Sequence, residues 1–111
     1  MDERLLSVYL YAFYGELLND NQRSVYDDFI MKDLSLSEIA QDRGISRQGV
    51  HDMIRRCRKM LESYEEKLHL VDRFLLIKSQ ITQINELTRS DATDATLDKI
   101  RELSNLILEE L

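Results

Sequence analysis

The chain has 111 residues with one cysteine, no proline and three glycines, and 15 Lys+Arg against 21 Asp+Glu give it a net charge of −6. That length bounds it to one domain, or one domain with a helical extension, and the lack of proline with abundant Leu, Ile, Glu, Lys and Arg favours helices over sheet. A single cysteine excludes an internal disulfide, and a protein that coats nucleic acid without discrimination is excluded too, because the overall field repels phosphate. No apolar run approaches the ~18 residues of a membrane span. The opening Met1-Asp2-Glu3-Arg4 lacks the basic start of a secretory signal. An all-α, cytoplasmic protein with no membrane role is therefore expected.

Residues 4–18 are the most apolar segment. Val8 to Phe13 alone has strand-like composition, but no second strand pattern exists for it to pair with, so a helix is expected. Its apolar residues go most of the way round a helical wheel, which predicts burial on more than one side, with a partner chain as the expected cover. Asn19-Asp20-Asn21 ends this helix and caps the next, with Gln22 at the reciprocal capping position. The second helix carries Val25, Tyr26, Phe29 and Ile30 at core spacing and runs out near Lys32-Asp33.

A helix-turn-helix follows, and each half carries its own start or stop signal. Ser35 and Glu38 form a capping box. Ile39 and Ala40 supply an apolar contact and a small residue where two helices must approach closely. Gly44 stands where the first helix must stop, since a left-handed residue there costs least without a β-carbon. Ile45 is expected to re-enter the core, and Ser46 is a good N-cap for the second helix.

At about 100° per residue, Arg47, Gln48, His51, Asp52, Arg55, Arg56, Arg58 and Lys59 fall on one half of that second helix. Val50, Met53, Ile54, Cys57, Met60 and Leu61 fall on the other. The apolar arc docks on the domain, which makes Cys57 a buried, inert thiol. The outer arc is cationic and rich in forked or amide side chains, which is what a recognition helix needs to sit on phosphates and read base edges. Residues 36–60 hold six basic and three acidic side chains, a net of +3. The rest of the chain holds nine against eighteen, a net of −9. Any contact with nucleic acid is thus expected to be local. The alternative is a solvated helix face that touches nothing.

Val50, Ile54, Cys57, Leu61, Tyr64, Leu68, Val71 and Leu75 alternate steps of four and three, the mark of a seam packing along another helix. A second stripe, Phe74, Ile77, Ile81, Ile84 and Leu87, takes over where Lys78 interrupts the first, and a bend near His69 would explain the changeover. Residues 89–95 read as a polar linker. A last helix places Leu97, Ile100, Leu103, Ile107 and Leu111 along one face. The expected organisation is a helix-turn-helix domain over residues 1–68, with its core at 35–60, and a C-terminal helical extension over 69–111. The extension either packs back on the first helix, or forms a homodimer, or does both.

The two histidines, His51 and His69, lie far apart in sequence, and no metal site is expected. No glycine-rich loop suits a phosphate-bearing cofactor, and no nucleophile elbow is present. Neither an enzyme nor a cofactor is expected.

From Asn19 to about Leu68 the chain resembles the promoter-reading, region-four helix-turn-helix of bacterial sigma factors. The likeness rests on Asn21-Gln22-Arg23, on Asp33 to Ala40, and on Gly44-Ile45-Ser46-Arg47-Gln48 with Val50. The run Ile45-Ser46-Arg47-Gln48-Gly49-Val50-His51-Asp52, the downstream Leu61 to Leu68 and the overall length resemble the YlxM family. These are small helix-turn-helix proteins of Gram-positive bacteria encoded beside signal recognition particle genes. The resemblance implies a sigma-like helical domain with extra C-terminal helices and a regulatory role in the signal recognition particle pathway, acting on the particle's RNA or its GTPase. Two positions depart from the family pattern. Gly49 replaces the usual alanine, which should cost the helix roughly 1 kcal/mol. Arg43 stands where an apolar residue is normal, and its stem is expected to cover the core edge while its head reaches water.

Three functions fit: a nucleic-acid-binding regulator tied to the signal recognition particle, a dimeric transcription regulator on duplex DNA, and a protein-interaction adaptor that kept the fold without base reading. In the first two, Arg47, Gln48, His51, Arg55, Arg56, Arg58 and Lys59 meet phosphate or base edges. Asp52 accepts from a cytosine amine.

Overall fold

The computed structural model describes residues 2–89 and 93–110. Among them are six helices and no strand: α1 (Glu3–Tyr14), α2 (Asp20–Ile30), α3 (Leu36–Arg43), α4 (Arg47–Leu68), α5 (Leu70–Leu87) and α6 (Asp94–Glu110). Part of the expected 89–95 linker, and Leu111 at the end of the last stripe, lie outside the described residues. The fold divides into two compact units, one running through His69 and the other beginning at Leu70.

Local signals set the helix starts. The Asp2 side chain accepts from the Leu5 N–H at the head of α1, and Asn19 with Gln22 forms a reciprocal capping box on α2. Ser35 with Glu38 does the same for α3. Each box satisfies backbone donors that the first turn leaves without partners.

The helix ends fall earlier than hydrophobicity alone suggests. α1 stops at Tyr14 and a single 3₁₀ turn, Gly15–Leu17, follows, so the apolar segment is not one helix to residue 18. Gly15 is required there by space: a β-carbon on it would stand 2.8 Å from the Tyr11 ring. α2 stops at Ile30 rather than near Lys32-Asp33, and Asp33 takes a left-handed backbone (φ 57°), which a short polar side chain tolerates.

In the first unit, α1, α2 and α3 pack on α4. Val25, Ile39, Ala40 and Val50 form a buried cluster, with Phe29, Leu34, Leu36, Met53 and Ile54 packed around it. α1 docks along the later turns of α4. The Tyr14 hydroxyl donates to Glu65 Oε1 at 2.6 Å, and the rings of Tyr14 and Tyr64 lie 6.0 Å apart. Tyr11 ties α1 to α2 through a hydrogen bond to Asp27 (2.9 Å) and a tilted contact with the Tyr26 ring. Much of the α1 apolar surface is therefore covered by its own chain, with Leu10 and Tyr14 almost fully buried.

The long seam from Val50 is interrupted at His69, where the backbone turns left-handed (φ 56°) and α4 ends. In the second unit α5 and α6 pack against each other, and Leu103 is buried. Leu97, expected on the same inward stripe, is exposed. No helix among the described residues is long and apolar enough to cross a membrane.

Candidate nucleic-acid interface

The frame that presents α4 begins with the turn between α3 and α4. Gly44 adopts φ 66°, and the Ile45 N–H donates back to the Ala40 carbonyl at 3.1 Å, the longer of the two bonds that close a glycine-ended helix. Ser46 then caps α4, its Oγ accepting from the Gly49 N–H at 2.9 Å. A β-carbon on residue 49 would stand 3.0 Å from that same Oγ, so glycine keeps the cap uncrowded at the expense of helix propensity. Ile45 does not re-enter the core. It is 41% exposed and lines a groove of about 560 Å³ with Val25, Leu34 and Met53.

Arg43 also departs from expectation. Its guanidinium, on a side chain 26% exposed, is not simply solvated but binds Asp28 Oδ2 at 2.7 Å and Ser24 Oγ at 2.8 Å, fastening α3 to α2. Lys32 adds a second contact to the Asp28 carboxylate at 3.1 Å. Arg43 and Lys32 hold the Asp28 carboxyl below the ordinary carboxylate range against the opposing pull of burial. The pair spans fifteen residues, so no local pattern announces it.

The apolar arc of α4 faces inward as the wheel implies: Val50, Cys57 and Leu61 are fully buried. Burial pushes the Cys57 thiol up, which leaves it protonated and unreactive. On the outer arc Arg47, Gln48, His51, Arg55, Arg56 and Lys59 are all exposed. Arg47, Arg55, Arg56 and Lys59 make no ion pair among the described residues. Arg55, Arg56 and Lys59, with Asp52, surround a recess of about 200 Å³. Asp52 accepts from Gln48 Nε2 at 3.0 Å, and His51 Nδ1 lies 3.7 Å from the same carboxylate oxygen.

Arg58 leaves the set. Its side chain is only 20% exposed, paired with Glu62 at 2.5 Å and hydrogen-bonded to the buried Ser7 of α1. Its charge also stands beside Tyr26, whose hydroxyl burial otherwise pushes up. At the edge of the arc, a guanidinium has the length to fold over toward α1, and a buried hydroxyl and a carboxylate one turn on give it partners there. Arg58 is a strut between α1 and α4.

A model of a helix-turn-helix family, described as "Putative helix-turn-helix protein, YlxM / p13 like", matches residues 1–103. The chain is 38% identical over 107 residues to a UPF0122 protein of Shouchella clausii, covering 93% of this chain and 98% of that one. It is 40% identical over 113 residues to one from a Thermoanaerobacter species, covering 99% and 97%, and 41% identical over 102 residues to YofM of Lactococcus lactis subsp. lactis, covering 91% and 89%. A capped turn, a docked second helix and a likeness that runs almost end to end lead to one assignment: the chain belongs to the YlxM/p13-like helix-turn-helix family, UPF0122.

Proposed function

We propose that this protein is a non-enzymatic, cytoplasmic regulator that binds nucleic acid through α4 and acts in the signal recognition particle pathway. The carrying observation is the exposed set Arg47, Arg55, Arg56 and Lys59, without an ion pair among the described residues, on a helix fixed by Ser46 and by the Val50 docking face. Four cations on one rigid rod meet a polyanion without first breaking an ion pair of their own. The pathway assignment rests on the YlxM resemblance, with the particle's RNA or its GTPase as the regulated component.

Binding of fluorescent RNA and duplex DNA by the wild type and Arg55→Ala tests the first part. The variant binds more weakly and with a flatter dependence on salt, by roughly one unit of log–log slope. Equal binding by both proteins under every salt condition leaves an adaptor without base reading. Recovery of the particle's RNA or GTPase on the tagged protein from its host tests the second part.

Dimerisation through the C-terminal unit is a separate proposal. Leu76, Ile81, Leu97, Leu106 and Leu108 remain exposed on α5 and α6, apolar side chains that a second copy could cover. Sedimentation equilibrium showing a dimer that Ile81→Glu dissociates supports it, and a monomer at all concentrations removes it.

A further inference from the structure

Between Arg47 and Leu61, Asp52 is the sole carboxylate on α4. It removes one unit of positive charge from the face where phosphate must approach, so an interface built for affinity alone gains nothing from it. Its Oδ1 is engaged by Gln48 Nε2 at 3.0 Å, one helical turn earlier, and the side chain is about half exposed. That bond fixes both groups and leaves Asp52 Oδ2 and Gln48 Oε1 as neighbouring hydrogen-bond acceptors.

An acceptor edge takes an exocyclic amino group, and the usual match for a carboxylate is the N4 amine of cytosine. An α-helix enters the major groove of B-form DNA, whereas the deep, narrow major groove of A-form RNA shuts side chains out. Lys59 lies about 10 Å along the axis from Asp52 at 1.5 Å per residue. Asp52 itself lines one recess with Arg55, Arg56 and Lys59, so those three cations stand directly around the reading position.

We infer that Asp52, oriented by Gln48, is the specificity-determining residue of α4, accepting from a cytosine amine in the major groove of duplex DNA while the surrounding Arg55, Arg56 and Lys59 reach outward to backbone phosphates. This rests on the reading of α4 as a nucleic-acid-binding helix.

Selection from random-sequence pools of duplex DNA and of RNA tests it, using the full-length wild type, Asp52→Asn and Arg55→Ala, each with its melting temperature checked. The wild type enriches duplexes with one position held as cytosine. Asp52→Asn weakens that preference about tenfold or more and moves it toward adenine, which an amide matches. The same variant binds the unselected pool more tightly, with a salt slope steeper by about one. Arg55→Ala weakens selected and unselected binding alike. Retention of the wild-type preference by Asp52→Asn overturns this inference alone, as does enrichment of the RNA pool only. A wild type that binds neither pool at low salt overturns the reading of α4 beneath it.

Discussion

Arg55 and Arg58 stand three residues apart on one helix and do different work. Arg55 is exposed without an ion pair among the described residues, whereas Arg58 reaches Ser7 of α1 and pairs with Glu62 one turn on along α4. Arg58→Ala is expected to lower stability by about 1.5 kcal/mol, since it removes the charged hydrogen bond to Ser7 and the pair with Glu62 while Ser7 keeps its bond to the Glu3 carbonyl, and the folded protein keeps its nucleic-acid affinity. Urea melts alongside binding curves separate the two effects, and a loss of affinity without loss of stability would return Arg58 to the interface. Asp28 gives a pH prediction. Its carboxyl titrates near 3.8 when unpaired and lower when held by Arg43 and Lys32. The folded state therefore gains from it above that unpaired value and loses the gain as pH falls through the depressed one. Asp28→Asn should be less stable at neutral pH and lose less stability than the wild type below pH 3.8; parallel pH profiles of the urea midpoint would refute this.

The helix starts and the central turn are the most legible parts of the sequence. Asn19–Gln22, Ser35–Glu38, Gly44 and Ser46 act over three or four residues, so neighbouring letters suffice to find them. Ser46→Ala is expected to cost about 1 kcal/mol and to fray the first turn of α4, seen as faster amide exchange at Gly49. Helix ends were less legible. Hydrophobicity continues past Tyr14, but the Tyr11 ring occupies the space over Gly15 and the chain tightens into a 3₁₀ turn. Gln80 on α5 gives a second test. It is buried, and among the described residues its Oε1 has no hydrogen-bond partner. Gln80→Leu should raise stability by about 1 kcal/mol, because an apolar group of similar size carries no desolvation penalty; a lower melting temperature would mean the amide is needed there.

For the molecule as a whole, charge is the controlling quantity. Residues 36–60 carry +3 and the remainder −9, so the net positive charge is confined to the stretch that holds α3 and the first turns of α4. With about four unpaired cations there, the log–log salt slope should not exceed about −4 per protomer on duplex DNA. A much steeper measured slope would require a second cationic surface. That confinement, the all-helical architecture, the caps and the inward arc of Val50, Cys57 and Leu61 were all written in residue order, because helical periodicity and capping are short-range. What the tertiary structure alone decided was the fate of individual side chains at the edges of that pattern: Arg58 drawn to Ser7, Arg43 drawn to Asp28, and Ile45 left in a groove. Their partners lie up to 51 residues away, and a wheel assigns an angle without knowing what packs at its boundary.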